Sequence, residues 1–412
     1  MKGFTKYFKP IYPVILINII GYFLLYLYRQ PYEQATVFSG LAVIALICIT
    51  YALIIKLMLG DEYLFLIVSM LVSLGIIMLY RINKELAVKQ ILWLALGIAL
   101  FFLCYFIYTR FAKWDKLIFF YLGGALGLFV FTMAFAKNIK GAKNWIFIGD
   151  FSIQASEIIK VLYILLLASY YTNPEKLQIN GLKLMGREIC INHKLVFIVI
   201  SYCHIGFLIL QKELGTAFLL FAVFFLFLFV SGSNVWVMAI NACIASIGGV
   251  LSYLLMNHIR VRVDIWMNPW ADISNRGYQV AQSLFAIGAG GFFGTGLGLG
   301  RPDLIPEVHS DFIFSAICEE MGVFGGIAVI FLFFIFVYRG VKISLMAKEP
   351  FDKNAALGIT LMFGLQTFII LGGVTKLIPL TGITLPFISY GGSSLTTGFI
   401  SLGFLQAISN KY

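Results

Sequence analysis

The sequence predicts an all-α polytopic membrane protein, on the evidence of its composition, its hydropathy and the lengths of its apolar stretches. Of its 412 residues, 61% are hydrophobic and only 12% are charged, whereas soluble domains are about half apolar and a quarter charged. The mean hydropathy of +0.94 likewise excludes a soluble globular chain. We therefore expect the formal net charge of +11 to lie in loops beside an anionic lipid surface rather than to bind nucleic acid.

Twelve apolar stretches have the length of a membrane-spanning helix, since about 20 helical residues cross about 30 Å of hydrocarbon. They are residues 11–28, 36–59, 62–80, 88–109, 116–136, 157–172, 194–210, 214–232, 234–257, 311–338, 354–377 and 391–409. An even number of spans places both termini on one side of the membrane. Lys2, Lys6 and Lys9 indicate that this side is the cytoplasm, although basic residues otherwise divide almost evenly between the two faces.

Residues 258–310 form the one long loop between these spans, on the predicted outer face. A structureless connection of about 50 residues is unusual unless it is functional. Its middle, from Val280 to Gly300, is apolar and glycine-rich but too interrupted for a full span. This pattern predicts a re-entrant or interfacial element packed against protein. The glycines superficially fit a nucleotide-binding loop, but no strand precedes them, so we interpret them as sites of close helix packing.

Three carboxylates and a histidine immediately precede the tenth predicted span: Asp303, Glu307, His309 and Asp311. Ionisable groups at membrane depth usually face a cavity and function there. Desolvation beside other carboxylates raises the pKa of a carboxyl group toward that of a general base. We predict that Asp311, the deepest of these acids, takes a proton from a sugar hydroxyl. The alternative is that Asp311 only caps the following helix.

The neighbours of Asp311 are predicted from helical periodicity. At about 100° per residue, Ser315 and Glu319 lie on the same face as Asp311, whereas Glu320 lies on the opposite face. We therefore expect Glu319 to border the same cavity and Glu320 to pair elsewhere. His309 is expected either to order the loop or to tune Asp311.

Basic side chains at the predicted outer level could neutralise a pyrophosphate, because Arg grips phosphate oxygens bidentately and Lys acts as a point charge. These residues are Lys143, Lys160, Lys212, Arg260, Arg262, Arg276, Arg301 and Lys376. For Lys160 an alternative is open: it stands three residues after Glu157 at a helix start, which favours an ion pair with a mainly structural role.

The segment Thr384–Ser394 places a proline, several hydroxyls and two glycines at the mouth of the last span. Its hydroxyls and free backbone groups could bind sugar or pyrophosphate, or the segment could serve tight helix packing; both interpretations stay open. No residues have the pattern of a Ser/His/Asp triad or a His/Cys metal site. A divalent cation, Mg²⁺ or Mn²⁺, is expected only by analogy with phosphate chemistry.

Motifs spread over residues 62–408 are similar to those of the SEDS family (shape, elongation, division and sporulation). In order, they are Gly141–Ile146, Gln154–Glu157 with Lys160, Glu213–Ala217, Asn268–Trp270, Gly277–Gln279 with Gln282 and Ser283, Pro306–Phe312 with Glu319–Gly322, and Pro379–Gly382 with Leu385–Ser394. The departures are small: Ala155 stands where Pro is usual, Lys212 and Glu213 where Pro-Asp is common, and Ser310 where Thr is usual. So many motifs in the same order make a chance resemblance implausible.

The resemblance implies a ten-helix core at residues 62–412, preceded at residues 1–61 by two additional helices, as in some Gram-positive members. It implies a peptidoglycan glycosyltransferase of the bacterial cell membrane that acts on lipid II with a class B penicillin-binding protein transpeptidase. Asp311 matches the catalytic aspartate of the family. The candidate substrate-binding residues are Lys143, Trp145, Glu157, Lys160, Lys212, Glu213, Arg260, Arg262, Gln279, Gln282, Glu307, His309, Glu319, Lys376, Ser389, Tyr390, Ser393 and Ser394.

The expected reaction is one in-line displacement, serving cell shape and elongation or cell division. Asp311 would deprotonate the GlcNAc 4-hydroxyl of lipid II, which attacks the anomeric carbon of the growing chain. The β-1,4 bond forms with inversion, and undecaprenyl pyrophosphate leaves. Two alternatives are a lipid II flippase and a non-catalytic scaffold of the transpeptidase. The charged motifs gather at the outer face rather than the membrane midplane, which favours chemistry on an already translocated substrate.

Overall fold

A computed structural model describes the backbone of residues 9–28, 33–139, 142–148, 151–184 and 187–412. Within these ranges, the side chains of residues 137–143, 148, 151, 179–184 and 187–191 lie outside the description. Lys2 and Lys6, from which the orientation of the chain was predicted, therefore lie outside the described part. The side chain of Lys143 does so as well.

Helices dominate the described chain, in agreement with the predicted all-α class. They are α1 (Tyr12–Tyr28), α2 (Gln34–Lys56), α3 (Glu62–Ile82), α4 (Lys84–Arg110), α5 (Ile118–Phe135), α6 (Ala155–Thr172), α7 (His193–Leu210), α8 (Leu214–Val230), α9 (Val235–Leu255), α10 (Asn257–Met267), α11 (Tyr278–Gly290), α12 (Ile313–Met346), α13 (Pro350–Val374) and α14 (Gly392–Lys411). Each of the twelve predicted spans coincides with one of these helices. Ten described helices are long and apolar enough to cross a membrane, and α8 is apolar with 17 residues.

Side-chain caps set several of the helix starts where the sequence changes from polar to apolar. Asp61 accepts a hydrogen bond from the backbone N–H of Tyr63, and Asn83, Asn192 and Asn234 act in the same way at α4, α7 and α9. Such caps satisfy N–H groups that have no partner within the helix. The helices therefore begin close to the predicted positions.

The centre of the bundle is built from α3, α4, α6, α13 and α14. Helix α14 packs along α4, and α13 packs between α6 and α12. Helices α3 and α6 are mostly buried, and α14 is buried over nearly its whole length. Helix α9, by contrast, exposes almost every side chain, and among the described elements it packs mainly against α8 and α10. The core thus lies to one side of α9.

Two small antiparallel sheets occupy loops for which the sequence predicted no strands. Strands β1 (Lys137–Ile139), β2 (Ala142–Ile148) and β3 (Phe151–Gln154) form a sheet in the order β1-β2-β3 before α6, and Trp145 pairs with Gln154. Strands β4 (Ile179–Leu184) and β5 (Arg187–Ile191) form a hairpin between α6 and α7. The first sheet brings Asn144 and Trp145 to the N-terminal end of α6.

The long loop folds against α12 where the sequence predicted a re-entrant or interfacial element. Helix α11 leads into a glycine-rich turn, residues 291–301, that packs against α12. Gly322 of α12 has φ 71° and interrupts that helix. The backbone groups opened by this break bond to the turn: Thr295 N–H donates to Glu319 O at 2.9 Å, and Val323 N–H donates to Gly291 O at 2.9 Å. The non-helical backbone is thus hydrogen-bonded within the protein, as either kind of element requires.

The N-terminal hairpin, α1 with α2, attaches to the core along α3. Asn18 donates from Nδ2 to Ser73 Oγ at 2.7 Å, and Thr36 Oγ1 lies 3.1 Å from Tyr80 Oη. These side chains are buried. The hairpin is therefore fixed to α3 by buried polar contacts as well as by apolar packing.

Candidate active site

Two adjacent cavities lie under α10 at the predicted outer ends of the central helices. The first, here called the polar cavity, has a volume of about 370 Å³. It is lined by Asn144, Trp145, Gln154, Glu157, Lys212, Glu213, Leu214, Gly215, Thr216, His258, Arg262 and residues 381–384. The second, the aspartate cavity, has a volume of about 130 Å³ and contains Asp311. Arg262 borders both cavities, so they share a wall.

Asp311 is half-buried and faces the aspartate cavity. Three basic residues, Arg262, Arg276 and Lys376, line the same cavity. Gly382 separates the two opposed charges: a Cβ at this position would lie 3.6 Å from Asp311 Oδ2 and 3.3 Å from an Arg262 guanidinium nitrogen. Gly382 also has φ +73°, a conformation that favours glycine. The acid and the guanidinium therefore approach each other across a residue without a side chain.

Arg262 is held in place by backbone carbonyls. Its Nη1 donates to Leu380 O at 3.2 Å and to Thr381 O at 2.7 Å. Trp266, one helical turn further along α10, donates from Nε1 to Lys376 O at 3.1 Å. Because these contacts are neutral carbonyls, they fix the guanidinium without neutralising its charge.

The segment before α14 binds the loop that carries Asp311. The contacting residues Glu307, His309, Ser389 and Tyr390 are here called the clasp. Ser389 Oγ donates to Ser310 O at 2.5 Å, and Tyr390 N–H donates to His309 O at 2.9 Å. The rings of His309 and Tyr390 pack edge to face, with centroids 5.9 Å apart. Gln279 on α11 adds a bond from Nε2 to Pro306 O at 2.9 Å. These contacts fix the backbone immediately before Asp311.

Below the polar cavity lies a buried charged network. Lys160 Nζ is 2.9 Å from Glu157 Oε2 and donates to Gln366 Oε1 at 3.0 Å. Thr397 Oγ1 donates to Glu157 Oε2 at 3.2 Å, and Gln366 Nε2 donates to Thr384 O at 2.8 Å. The ion pair thereby ties α6 to α13, α14 and the segment that follows Gly382.

The polar cavity has a mixed electrostatic character. Burial raises the pKa of the Glu213 carboxyl, which stands just before α8 and receives a hydrogen bond from Thr216 Oγ1 at 3.2 Å. On the opposite side, burial lowers the pKa of His258, and the charges of Arg262 and Lys212 lower it further. A net positive potential near His258 suits an anionic group.

Three polar residues around the two cavities adopt left-handed backbone. Lys212 and Lys376 have φ 63°, and Glu307 has φ 56°. For a residue with a side chain this conformation costs about 1–2 kcal/mol. Strained residues of this kind cluster at functional sites, where the surrounding structure holds them. Their positions agree with a site built from the loops after α7, α11 and α13.

The family model of the FtsW, RodA and SpoVE proteins, described as cell cycle protein, matches residues 50–412. The chain belongs to this family. It is 33% identical over 367 residues to the peptidoglycan glycosyltransferase RodA of Mycobacterium leprae, which covers 85% of this chain and 78% of the relative. It is 34% identical over 370 residues to the stage V sporulation protein E of Bacillus subtilis, covering 85% and 96% respectively.

Solved structures confirm the all-α polytopic fold. One is a chain of a peptidoglycan synthase complex that coordinates polymerization and crosslinking. It superposes on this chain with a TM-score of 0.71 at 25% sequence identity, covering 85% of this chain and 98% of the other. The matched family residues begin at 50, whereas α1 and most of α2 precede them. The SEDS resemblance of the motifs is thus confirmed.

The structure brings eight candidate site residues of this SEDS protein to the walls of the two cavities and several others to the segments beside them. Trp145, Glu157, Lys212, Glu213 and Arg262 line the polar cavity, and Arg262, Gln279, Lys376 and Asp311 line the aspartate cavity. Glu307, His309, Ser389 and Tyr390 form the clasp, with Glu307 Oε2 3.7 Å from His309 Nε2. Ser393 accepts from Gln154 N–H at 3.1 Å, and Ser394 Oγ lies 2.8 Å from Thr384 Oγ1. Lys160 lies behind the wall of the polar cavity, in the buried charged network with Glu157 and Gln366.

Three candidates lie apart from the cavity walls described above. Arg260 points back along α9, donating from Nη2 to Leu254 O at 2.6 Å, with its guanidinium 5.9 Å from the centre of the Tyr253 ring. Gln282 is half-buried on α11 and lines neither cavity. Lys143 lies in strand β2, and its side chain is outside the described part.

The expectation that Glu319 borders the cavity of Asp311 is wrong. Its Oε1 accepts from the backbone N–H of Arg301 at 2.7 Å, on the glycine-rich turn. Helix α12 begins at Ile313, so Asp311 does not belong to it. The helical angle of about 100° per residue therefore does not relate the directions of Asp311 and Glu319. Glu320 does pair elsewhere, with Arg81 at 3.0 Å. Asp311 also stands one residue before the cap position, which Phe312 occupies.

Several residues that line the polar cavity or support its wall were not predicted from the sequence. His258 and Thr381 line the polar cavity, and Gln366 bridges Lys160 to Thr384. A glutamine within an apolar span carries a cost in lipid, so Gln366 did have a sequence signal. His258 had none beyond its place in the long loop.

The divalent cation expected from phosphate chemistry stays a prediction. Among the described residues, no three His, Cys, Asp or Glu side chains come close enough together to hold a metal ion. The aspartate cavity instead gathers Arg262, Arg276 and Lys376 around a single carboxylate. Of these three basic residues, Arg262 also lines the polar cavity, so its charge is shared by both cavities.

Proposed function

We propose that this chain polymerises lipid II, the lipid-linked disaccharide precursor of peptidoglycan, with Asp311 as the general base. Peptidoglycan glycosyltransferase activity is what its RodA relatives carry, at one-third sequence identity over 85% of the chain. The observation that supports the role of Asp311 is its position: a half-buried carboxylate facing a cavity that three basic side chains also line.

The proposed reaction is an in-line glycosyl transfer between the acceptor and the donor. Asp311 takes the proton of the acceptor 4-hydroxyl, and the freed oxygen attacks the anomeric carbon of the donor. The bond from that carbon to the pyrophosphate oxygen breaks with its electron pair, so undecaprenyl pyrophosphate leaves and the anomeric configuration inverts. The proton then passes from Asp311 to solvent. Arg262, which borders both cavities, is placed to stabilise the charge that develops on the leaving group.

The two cavities suggest how two lipid-linked substrates are arranged. The polar cavity carries Lys212, Arg262 and His258 and is the larger, which suits a pyrophosphate with its first sugars. The aspartate cavity suits the acceptor hydroxyl, because a general base must lie within hydrogen-bond reach of the proton that it takes. We therefore assign the donor, the lipid-linked growing chain, to the polar cavity and the acceptor, lipid II, to the aspartate cavity.

The test is polymerisation of purified lipid II by the protein together with its transpeptidase partner. We expect Asp311→Asn to lower kcat by about 10²- to 10⁴-fold, the usual contribution of a general base. Asp303→Asn is the matched control, because Asp303 is exposed in the same loop and lines neither cavity. It should polymerise as the unmodified protein does.

The outcomes also separate this function from its alternatives. Glycan chains made by Asp311→Asn at the unmodified rate would contradict the general-base role. A protein that makes no chains but moves lipid II across liposomes would be a flippase. A protein that does neither, yet stimulates crosslinking by the transpeptidase, would be a scaffold.

We further propose that both termini are cytoplasmic, that the two cavities open outward, and that a class B penicillin-binding protein binds α12, α13 and the long outer loop. One structural neighbour is itself part of a peptidoglycan synthase complex. Helix α12 exposes an apolar stripe to its surroundings, including Phe324, Ile327, Phe331 and Phe334. A transmembrane helix of a partner could pack along this stripe.

A further inference from the structure

The break in α12 makes its N-terminal part, here called the outer segment, a separate short helix. Gly322 interrupts the helix, so Ile313–Met321 is connected to the rest of α12 through a non-helical residue. Asp311 lies just before this outer segment. The orientation of the segment therefore affects where the carboxylate of Asp311 sits, and contacts that fix the segment are contacts that fix the base.

The glycine-rich turn, here defined as residues 291–301, holds the outer segment from one side. Gly296 N–H donates to Glu320 O at 3.0 Å, and Gly298 N–H donates to Glu320 Oε2 at 2.9 Å. Arg301 N–H donates to Glu319 Oε1 at 2.7 Å. Both buried glutamates of the outer segment are thus bound to the backbone of the turn.

Arg81, at the outer end of α3, joins the turn to the outer segment. Its Nε lies 3.0 Å from Glu320 Oε1, and its Nη2 donates to Gly298 O at 3.2 Å and to Gly300 O at 2.9 Å. The arginine side chain is 12% exposed and the glutamate side chain is fully buried. A planar guanidinium can make these bonds in fixed directions, which an ammonium cannot.

Tyr28, the last residue of α1, covers this arginine. The Arg81 guanidinium carbon lies 5.1 Å from the centre of the Tyr28 ring, within the range of a cation–π interaction. Gly298 packs on the same ring: a Cβ there would lie 2.9 Å from Tyr28 Cγ. The N-terminal hairpin, which lies largely outside the matched family residues, therefore touches both Arg81 and the turn.

We propose that Arg81 and Tyr28 are positioning residues for catalysis, and that the N-terminal hairpin is in this way part of the catalytic apparatus. Tyr28 holds Arg81, Arg81 fixes the turn against Glu320, and the outer segment of α12 then presents Asp311 to its cavity. The inference rests on the proposed role of Asp311. A displacement of about 1 Å at a reacting group is enough to lower a rate about 100-fold, so contacts far from the reacting atoms can control kcat.

The first experiment compares Tyr28→Leu with Tyr28→Phe in lipid II polymerisation by the complex with the transpeptidase. Loss of a partly exposed cation–π contact should lower kcat by about two- to fivefold, with KM unchanged within about twofold. Tyr28→Phe keeps the ring and should retain the unmodified kcat. Phe23→Leu, the same kind of change at an exposed position of α1, controls for a general effect on the hairpin.

The second experiment uses Arg81. Arg81→Met should lower kcat more than Tyr28→Leu does, and Arg81→Lys should fall between Arg81→Met and the unmodified protein. Because Arg81→Met leaves Glu320 buried without its ion pair and could fail to fold, Arg81→Lys and Tyr28→Leu keep the test decisive.

Amide hydrogen exchange gives a readout that does not depend on activity. Peptides that cover residues 294–312 should exchange faster in Tyr28→Leu than in Tyr28→Phe, while peptides from α14 exchange alike. Equal exchange and equal kcat in all Tyr28 variants would overturn the proposal, as would a fall in kcat matched by an equal loss of folded protein. An active Asp311→Asn would refute the general-base role, whereas the exchange difference would still report on the positioning contacts.

Discussion

Glu157 and Lys160 form a buried ion pair on α6. Glu157 is 7% exposed and Lys160 is 4% exposed. Removing one member of such a pair leaves a buried charge without its partner and typically costs about 3–5 kcal/mol, whereas replacing both with neutral groups of similar size costs far less. The pair is therefore best tested by changing the residues singly and together.

We predict that Lys160→Met lowers the melting temperature of the detergent-solubilised protein strongly, and that Glu157→Gln combined with Lys160→Met recovers much of the loss. The double-mutant cycle on thermal unfolding measures the coupling between the two side chains. Additive losses would show that the pair contributes no coupling. Polymerisation assayed on the same four proteins would then show whether the charges also serve the substrate.

Glu213 should make stability depend on pH. Burial raises its pKa above the ordinary value of 4.5, so the folded protein binds a proton that the unfolded chain releases. Stability from this group is fully present below pH 4.5 and is lost as the pH rises through the pKa of the folded state. We expect Glu213→Gln to gain in melting temperature relative to the unmodified protein as the pH rises from about 5 to about 8. A constant difference over that range would contradict the raised pKa.

Single residues differ in how far their place could be predicted from the sequence. The place of Asp311 beside a cavity could be predicted, because a carboxylate next to a membrane span is costly in lipid. Glu319 was misplaced because its helix begins two residues after Asp311. The ion pair between Arg81 and Glu320 joins distant parts of the chain, and no local pattern predicts which distant charges will meet.

At the scale of elements, the break in α12 is specified by Gly322. Its φ of +71° disfavours any side chain, and a Cβ would lie 2.3 Å from Phe292 O and 2.4 Å from Gly294 N. Backbone atoms of the glycine-rich turn cannot move aside as a flexible side chain can. A substitution at Gly322 therefore combines backbone strain with loss of the contacts between the turn and α12.

We predict that Gly322→Ala destabilises the protein by about 1–3 kcal/mol or more and lowers polymerisation. The matched control is Gly127→Ala in α5, where a Cβ would meet no atom within 4 Å. In a helix interior this change should be neutral or stabilising by up to about 1 kcal/mol. Melting temperatures of both variants check the prediction, and equal values would show that the break tolerates a side chain.

The elements fall into two groups by their predictability. Helix positions followed from the lengths of apolar stretches, because lipid forces every spanning backbone into helix. The strands β1–β3 and β4–β5 lie in polar loops, where no such constraint acts and short alternating patterns are weak. The break at Gly322 could not be predicted, because glycine is common in membrane-spanning helices and the chain is helical on both sides of it.

The whole molecule carries ion pairs at both predicted faces. At the predicted inner face, Arg339 pairs with Asp61 at 2.5 Å and Lys411 with Asp352 at 2.9 Å. At the predicted outer face, Arg81 pairs with Glu320 at 3.0 Å, whereas Arg262 is bonded to backbone carbonyls and lines both cavities. Basic residues that serve a buried ion pair or a cavity do not report topology, which accounts for the nearly even division of basic residues between the predicted faces.

We therefore predict that the face with the two cavities is extracytoplasmic. In a cysteine-free background, Asp303→Cys should react in intact cells with a membrane-impermeant maleimide, whereas Lys348→Cys should react only after the membrane is permeabilised. Both positions are exposed, Asp303 in the long loop and Lys348 between α12 and α13. Labelling with the opposite pattern would place Asp311 on the cytoplasmic side, where a substrate that has already crossed the membrane could not reach it.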